Sequence, residues 1–191
     1  DDMQVHEILI NQKRSFKQGN TSQNAWMQSW LKEKLASNPC SGKVVELFCG
    51  SGNLTQIIAE SNCTSIIALE SDDNAIQQLK IKNFDKVIPQ KYDLFDPLVW
   101  KKLQQQINDA KMLVLDPPRA GLKKHNGFFN GFRALRTIVY FSCNPETFAR
   151  DAWFFNQNGF SIDEIQLIDL FPHTHHIEIL AVFNRPERSN T

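Results

Sequence analysis

The sequence predicts an α/β fold in which helices wrap a mostly parallel sheet. Short apolar runs alternate with stretches of helical periodicity, and this alternation is typical of βαβ units. Hydrophobic residues make up 41% of the 191 residues, which is enough for one domain with a sizeable core. Lys and Arg together number 21, as do Asp and Glu, so the charge balance predicts no overall attraction to nucleic acid.

Five predicted strands and four predicted helices alternate up to residue 157. Each strand is a short apolar run bounded by turn residues, and each helix repeats its apolar residues at helical spacing. Because such helical connections join parallel strands, we expect these strands to pair in parallel. The strands are expected at 44–48, 65–69, 86–88, 112–115 and 138–141, and the helices at 53–60, 73–82, 98–108 and 145–157.

The two ends of the chain differ from this central pattern. Residues 160–167 and 176–183 read as strands whose connection, 168–175, is too short for a helical crossover, so they should pair antiparallel. Residues 22–37 predict an amphipathic helix that covers the sheet edge, with Trp26, Met27, Trp30 and Leu31 on one face. We expect one domain over 21–191, with 1–20 as the tail of a preceding domain.

The sequence argues against a membrane span and a metal site. It has no run of roughly 18 apolar residues and no signal-peptide pattern, so we expect a cytoplasmic protein. We also expect a monomer. The four cysteines lack metal-ligand or disulfide spacing. The histidines at 173, 175 and 176 have no companion ligands at suitable spacing, so no metal is expected.

A glycine turn follows the first strand, at a place where α/β sheets bind nucleotide-like ligands. Gly50 and Gly52 would let the backbone approach a ligand, although a plain turn or a dinucleotide site explains two glycines about as well. Glu70 ends the next strand and could accept hydrogen bonds from ribose hydroxyls, or face solvent. Asp93 could reach an adenine amino group, or could be a turn residue before Pro97.

Two further apolar strands end in residues suited to catalysis. Asp116 precedes two prolines, which hold the loop open so that the acid can press on a flat ring. Arg119 stands where methyltransferases of exocyclic amines carry a stacking aromatic residue, which makes such a substrate less favoured. Cys143 comes just before a helix, whose amino terminus should lower the thiol pKa, although an isolated Cys is more often structural.

The last strand carries a single acid, Glu178, between two isoleucines. Desolvation there should raise the pKa of this carboxyl toward the range of a general base, and a salt-bridged structural Glu is the alternative. Lys123, Lys124 and His125 follow the Asp116 loop and could contact RNA phosphates, or form a solvated surface.

Five ordered motifs resemble those of the tRNA and rRNA (uracil-5-)-methyltransferases. They cover nearly the whole chain, which departs only slightly where Gly19 replaces an aliphatic residue. The seven-stranded sheet with an antiparallel last strand is similarly that of the Rossmann-like class I S-adenosylmethionine-dependent methyltransferases. The motifs are F-K-Q-G-N at 16–20, L-F-C-G-S-G-N at 47–53, D-P-P-R-A-G at 116–121, S-C-N-P-E-T-F-A-R-D at 142–151 and D-L-F-P-H-T-H-H-I-E at 169–178.

The resemblance implies an enzyme that uses S-adenosyl-L-methionine to form 5-methyluridine in tRNA or rRNA. It implies that Cys143 is the nucleophile and that Glu178 removes the ring proton from a flipped-out uridine. The family's RNA-binding barrel, central domain and iron-sulfur cysteines have no counterpart in the sequence, so a cofactor-binding module without turnover is the alternative. By resemblance the cofactor and uracil pocket is lined by Gln18, Phe48, Asn53, Glu70 and Asp116.

Overall fold

A computed structural model describes residues 21–123, 127–169 and 177–186 and confirms the predicted α/β architecture. Strands and helices alternate as expected, and β4, α3 and α5 have the predicted bounds. The elements are α1 (Thr21–Ser37), β1 (Lys43–Leu47), α2 (Thr55–Ala59), β2 (Ser65–Glu70), α3 (Asp73–Lys82), β3 (Val87–Lys91), α4 (Val99–Ile107), β4 (Met112–Leu115), β5 (Thr137–Ser142), α5 (Pro145–Gln157), β6 (Ser161–Asp169) and β7 (Ile177–Asn184).

The described strands form one seven-stranded sheet in the order β3-β2-β1-β4-β5-β7-β6. Strands β1 to β5 pair in parallel, whereas β7 runs antiparallel to both β5 and β6. The predicted antiparallel last strand is therefore confirmed. The strand order reverses between β1 and β4, which is where open α/β sheets bind ligands beyond the carboxyl ends of their strands.

Two apolar layers cover the two faces of the sheet. The layer with α4 and α5 is rich in aromatic side chains, including Trp100, Phe128 and Phe155. The opposite layer contains aliphatic side chains of α1, α2 and α3, such as Leu31 and Ile58. The sheet is thus buried on both faces, and ligands can reach it chiefly at the ends of its strands.

Helix α1 lies over the face of the sheet and also reaches the edge expected from the sequence, where Lys34 Nζ forms an ion pair with Glu164 Oε2 of the edge strand β6 at 2.8 Å. The Trp30 ring meets Phe141 of the central strand β5 edge-on, with ring centroids 5.6 Å apart. Met27, Trp30 and Leu31 are buried as predicted, but Trp26 is 42% exposed. The apolar stripe that packs on the sheet is therefore narrower than the sequence suggested. No described helix is long and apolar enough to cross a membrane.

Candidate active site

The antiparallel pairing of β5 and β7 explains why Cys143 and Glu178 meet. Ser142, the last residue of β5, pairs with Ile179 of β7. Cys143 follows Ser142 and Glu178 precedes Ile179, so both lie at the same end of the sheet. Asp116 follows the neighbouring strand β4, whose Leu115 pairs with Tyr140 of β5. The two predicted catalytic residues and the predicted binding residue Asp116 therefore come from adjacent strands.

The carboxyl groups of this cluster hold their protons more tightly than isolated acids. Burial raises the pKa of Glu178 to about 7, while the nearby Arg119 guanidinium opposes this rise. Burial and the negative charge of Glu178 raise the pKa of Asp116 to about 7. The predicted effect of desolvation on Glu178 is confirmed, and near neutral pH this carboxyl can both accept and release a proton.

The expectation that the helix end lowers the thiol pKa of Cys143 is wrong. Burial, Glu178 and Asp116 raise the pKa of this thiol, and only Arg119 and a backbone hydrogen bond lower it. The amino terminus of α5 is already capped, since Asn144 Oδ1 accepts from the backbone N–H groups of Glu146 at 2.9 Å and Thr147 at 3.4 Å. These two N–H groups of the first turn therefore bond to Asn144 and not to the thiol. The side chain that favours the thiolate form of Cys143 is Arg119.

The two glycines of the loop after β1 serve different purposes. Gly50 has a φ of +52°, and a side chain there would meet nothing within 4 Å. Gly52 has a φ of +90°, but a Cβ there would lie 2.5 Å from Leu79 Cδ1. Gly50 therefore leaves open space beside the loop, as expected for a ligand site, whereas Gly52 lets the loop pack against α3.

Glu70 joins the loops that follow β1 and β2. Its Oε2 accepts from Gly50 N at 3.1 Å, and its Oε1 accepts from the backbone N–H groups of Ser71 at 2.6 Å and Asp72 at 3.0 Å. A carboxylate offers about four acceptor positions, so Oε2, with one bond from Gly50 N, retains capacity for a ligand hydroxyl. The half-buried Glu70 is thus held in place on the ligand side of the loop.

The side chain of Asn53 is engaged by helix α1. Its Oδ1 accepts from Asn24 Nδ2 at 3.0 Å and Gln28 Nε2 at 2.9 Å, and its Nδ2 donates to Asn24 Oδ1 at 2.6 Å. Asn53 therefore has a structural role in the loop, and its predicted contact with a cofactor stays a prediction. Asn24 and Gln28 were not predicted, and their only signal is that amides four residues apart share one helix face.

An aromatic pair borders the same end of the sheet. The ring of Phe48, which has a φ of +60°, lies 5.7 Å from that of Phe95. Lys123 Nζ sits 4.6 Å from the centre of the Phe95 ring. Asp93 Oδ1 accepts from Phe95 N at 2.9 Å, so Asp93 shapes the turn, the alternative role considered for it. Phe95 was not predicted as a site residue.

Glu46 is a buried acid to which the sequence analysis gave no role. It lies at the end of β1 and is only 2% exposed. Burial, with a contribution from the Asp116 charge, raises the pKa of Glu46 to about 8, while Thr55 and Lys82 lower it. Within the described part of the chain, its Oε2 has no hydrogen-bond partner. Glu46 therefore carries a proton at neutral pH beneath the glycine loop.

Some predicted residues lie outside the described ranges, namely Gln18, Lys124, His125 and the histidines at 173, 175 and 176. Among residues 21–123, 127–169 and 177–186, no three His, Cys, Asp or Glu side chains are grouped so that they could hold a metal ion.

The sequence profile described as tRNA (uracil-5-)-methyltransferase matches residues 3–185. An uncharacterized RNA methyltransferase of Nitrosomonas europaea is 53% identical over 185 residues, covering 97% of this chain and 47% of the relative. The 23S rRNA (uracil(1939)-C(5))-methyltransferase RlmD of Shewanella putrefaciens is 31% identical, covering 88% of this chain and 37% of the relative. The chain thus spans less than half the length of these relatives.

Solved structures share the fold at low sequence identity. The methyltransferase domain of bacterial CtHen1-C superposes with a TM-score of 0.64 at 12% identity, covering 83% of this chain and 96% of that chain. M. jannaschii TYW2 in complex with AdoMet has a TM-score of 0.57 at 18% identity, covering 91% of this chain and 80% of that chain. The predicted class I methyltransferase fold is therefore confirmed.

Proposed function

The chain belongs to the tRNA (uracil-5-)-methyltransferase family, and on that premise we propose that it methylates carbon 5 of a uridine in RNA with S-adenosylmethionine as methyl donor. One observation carries the proposal. A cysteine and an acid with a pKa of about 7, Cys143 and Glu178, flank the paired ends of β5 and β7, next to Asp116. Covalent methylation of a pyrimidine carbon needs both a nucleophile and a base.

The loops after β1 and β2 fit the methyl donor. Open space beside Gly50 and the free acceptor capacity of Glu70 Oε2 suit a ribose, and the Phe48 and Phe95 rings offer an apolar surface for adenine. Bound there, S-adenosylmethionine would supply an electrophilic methyl group on sulfur. Gln18, by resemblance, would complete this site, while Asn53 would support the loop from behind.

In the proposed reaction the Cys143 thiolate adds to carbon 6 of uracil, and the ring electrons move onto carbon 5 and the carbonyl oxygen. Carbon 5 then takes the methyl group as the carbon–sulfur bond of the donor breaks. Glu178 removes the proton left on carbon 5, the double bond between carbons 5 and 6 forms again, and Cys143 leaves as thiolate. Arg119 assists by favouring the thiolate form of Cys143.

The target uridine must be turned out of its stack, because the thiolate attacks the face of the ring. We propose that Asp116 holds the base edge and that Lys123, with Lys124 beside it in sequence, contacts the phosphates. Lys123 is exposed above Phe95, at the same end of the sheet as the cluster. RlmD is named for a uridine of 23S rRNA, and the family profile for tRNA, so either RNA is a candidate substrate.

The test incubates the protein with methyl-labelled donor and unmodified transcripts of 23S rRNA and tRNA, then maps methylated nucleosides by mass spectrometry. We expect 5-methyluridine in one of the two RNAs. A parallel calorimetric titration with S-adenosylhomocysteine should show binding. Donor-analogue binding without methylation of either RNA would favour a cofactor-binding module, and binding of a dinucleotide instead would contradict the cofactor assignment.

A further inference from the structure

Helix α5 is tied by hydrogen bonds to the loop that carries Arg119. Thr147 Oγ1 donates to Arg119 O at 3.1 Å, and Asn144 Nδ2 donates to the same oxygen at 3.4 Å. One turn further along, Arg150 Nη2 donates to Ala120 O at 2.9 Å and to Leu122 O at 2.8 Å. The carbonyl oxygens of 119, 120 and 122 therefore all accept from the helix that begins just after Cys143.

Asp151 is the buried centre of this connection. Its side chain is fully buried, and its Oδ2 accepts from Leu122 N and from the Tyr140 hydroxyl, both at 2.7 Å. Its Oδ1 accepts from Arg150 Nε at 3.0 Å and Nη2 at 2.8 Å. A buried carboxylate with four donors is strongly held, so it fixes the groups that donate to it.

Gly121 shows how closely the loop approaches the helix. Its φ is +66°, and a Cβ there would lie 2.5 Å from Asp151 Oδ2 and 2.7 Å from Arg150 Nη2. Only glycine fits at this position without displacing the carboxylate or the guanidinium. The contact is therefore specific to one arrangement of loop and helix.

We propose that Asp151 is a positioning residue whose carboxylate, acting with Arg150, clamps residues 119–122 onto α5 and thereby fixes Arg119 relative to Cys143. Cys143 precedes α5, and the clamp joins Arg119 to the first two turns of the same helix. Helix α5 thus fixes the position of both the Arg119 loop and the nucleophile. This inference deepens the proposed function and rests on it for its meaning in catalysis, since Asp151 contacts neither substrate nor cofactor.

The test measures the pH dependence of Cys143 alkylation by iodoacetamide, with the modified peptide quantified by mass spectrometry. Among the four cysteines only Cys143 is partly accessible, and the assay needs neither RNA nor methyl donor. Arg119 lowers the pKa of the Cys143 thiol. Asp151→Asn should therefore move the alkylation midpoint to higher pH, because Arg119 would no longer be held where its charge favours the thiolate. Removing a carboxylate without moving Arg119 would move the midpoint downward.

A double-mutant cycle identifies Arg119 as the route of the effect. Arg119→Gln alone should raise the midpoint, and Asp151→Asn in that background should raise it no further. Asp109→Asn, which removes an exposed partner of Lys43, is the matched control and should leave the midpoint unchanged. Additive shifts, or an unchanged or lowered midpoint in folded Asp151→Asn, would overturn the proposal.

A second variant covers the case in which Asp151→Asn does not fold. Arg150→Lys keeps the positive charge on a partly exposed side chain but loses the guanidinium fork that joins Ala120, Leu122 and Asp151. It should also raise the midpoint, by a smaller amount. If folded Arg150→Lys alkylates with the wild-type profile, the clamp does not position Arg119. Because the readout is alkylation, this failure is distinct from a failure of RNA methylation.

Discussion

The two halves of the candidate active site are built differently. Around the glycine loop, the carboxyl group of Glu70 and the amide of Asn53 are bound by neighbouring protein groups. Around Cys143, burial leaves Asp116 and Glu178 with pKa values near 7 and raises that of the thiol. In the proposed function the first half would serve as a preformed binding surface, whereas the second would supply the groups that exchange protons. Perturbed pKa values of this kind cluster where chemistry takes place.

The largest effect should come from replacing the nucleophile in the second half. Cys143→Ala should lower methyl transfer by more than about 10³-fold, because in the proposed reaction carbon 5 becomes nucleophilic only after the thiolate adds to carbon 6. Binding of S-adenosylhomocysteine, measured by calorimetry, should stay at the wild-type level, since the glycine loop is untouched. Cys40→Ala, at a buried cysteine that precedes β1 whereas the glycine loop follows that strand, is the control and should stay active. Methylation by Cys143→Ala would refute covalent catalysis.

The pH dependence of the proton-removal step should reflect the raised pKa of Glu178. A base works only when deprotonated, so proton removal should slow about tenfold per pH unit below 7, and about 100-fold at pH 5. Protonation of Glu178 would not itself destabilise the fold over this range. A carboxyl whose pKa is raised in the folded state binds protons more tightly there, so its contribution to stability increases as the pH falls from 7 toward the ordinary value near 4.5.

Asp116 also has a pKa of about 7, so the pH profile alone does not tell which of the two acids acts as the base. The variant Asp116→Asn distinguishes them. Whatever its overall rate, this variant should keep the acidic limb of the profile if Glu178 is the base. Disappearance of the limb in Asp116→Asn, measured by single-turnover kinetics across pH 5 to 9, would transfer that role to Asp116.

Substitutions beside the glycine loop should have a smaller effect, and this effect should be on cofactor binding. Glu70→Gln replaces a charged acceptor by a neutral amide, which should weaken the bonds to Gly50, Ser71 and Asp72. We expect about tenfold weaker binding of S-adenosylhomocysteine, since a hydrogen bond to a charged group contributes roughly 1.5–3 kcal/mol. Glu60→Gln, which removes an exposed ion pair with Lys32, should bind normally. Equal affinity of both variants would place the ligand away from Glu70.

The smallest effect should come from removing a surface charge that is proposed to contact RNA. Lys123→Ala should weaken RNA binding only a few-fold, and the slope of log affinity against log salt should decrease by about one. Lys32→Ala removes an equal charge from helix α1 and should leave that slope unchanged. A wild-type slope in Lys123→Ala would mean that Lys123 is a solvated residue held by Phe95.

The sequence predicted the interior strands better than the edge strand β3. Strands β4 and β5 are buried along their length and apolar except at the ends of β5, so their residues identify them directly. Strand β3 extends to Lys91, beyond the predicted end at residue 88, through Pro89, Gln90 and Lys91. An edge strand tolerates proline and polar side chains, because one of its two sides is unpaired. Such a strand carries little of the pattern on which prediction depends.

Within the site, motifs identified the proposed reacting groups but not the residues that hold them in place. Cys143 and Glu178 follow from residue type, strand ends and family resemblance, and the pairing of β5 with β7 brings them together. The amides that hold Asn53 lie 25 and 29 residues away, and the clamp at Asp151 is 29 residues from Leu122. These contacts depend on how elements pack in space, and periodicity does not encode them.

The proposed mechanism is tested most directly by the stage at which the reaction stops in Glu178→Gln. This variant keeps the shape of the side chain but cannot take the proton, so methylated RNA should remain attached to Cys143. Denaturing electrophoresis after incubation with RNA and methyl-labelled donor should show a slow protein band carrying the label, and the added Cys143→Ala substitution should abolish it. Free 5-methyluridine produced by Glu178→Gln at the wild-type rate, with no labelled band, would contradict the assignment of Glu178 as the base.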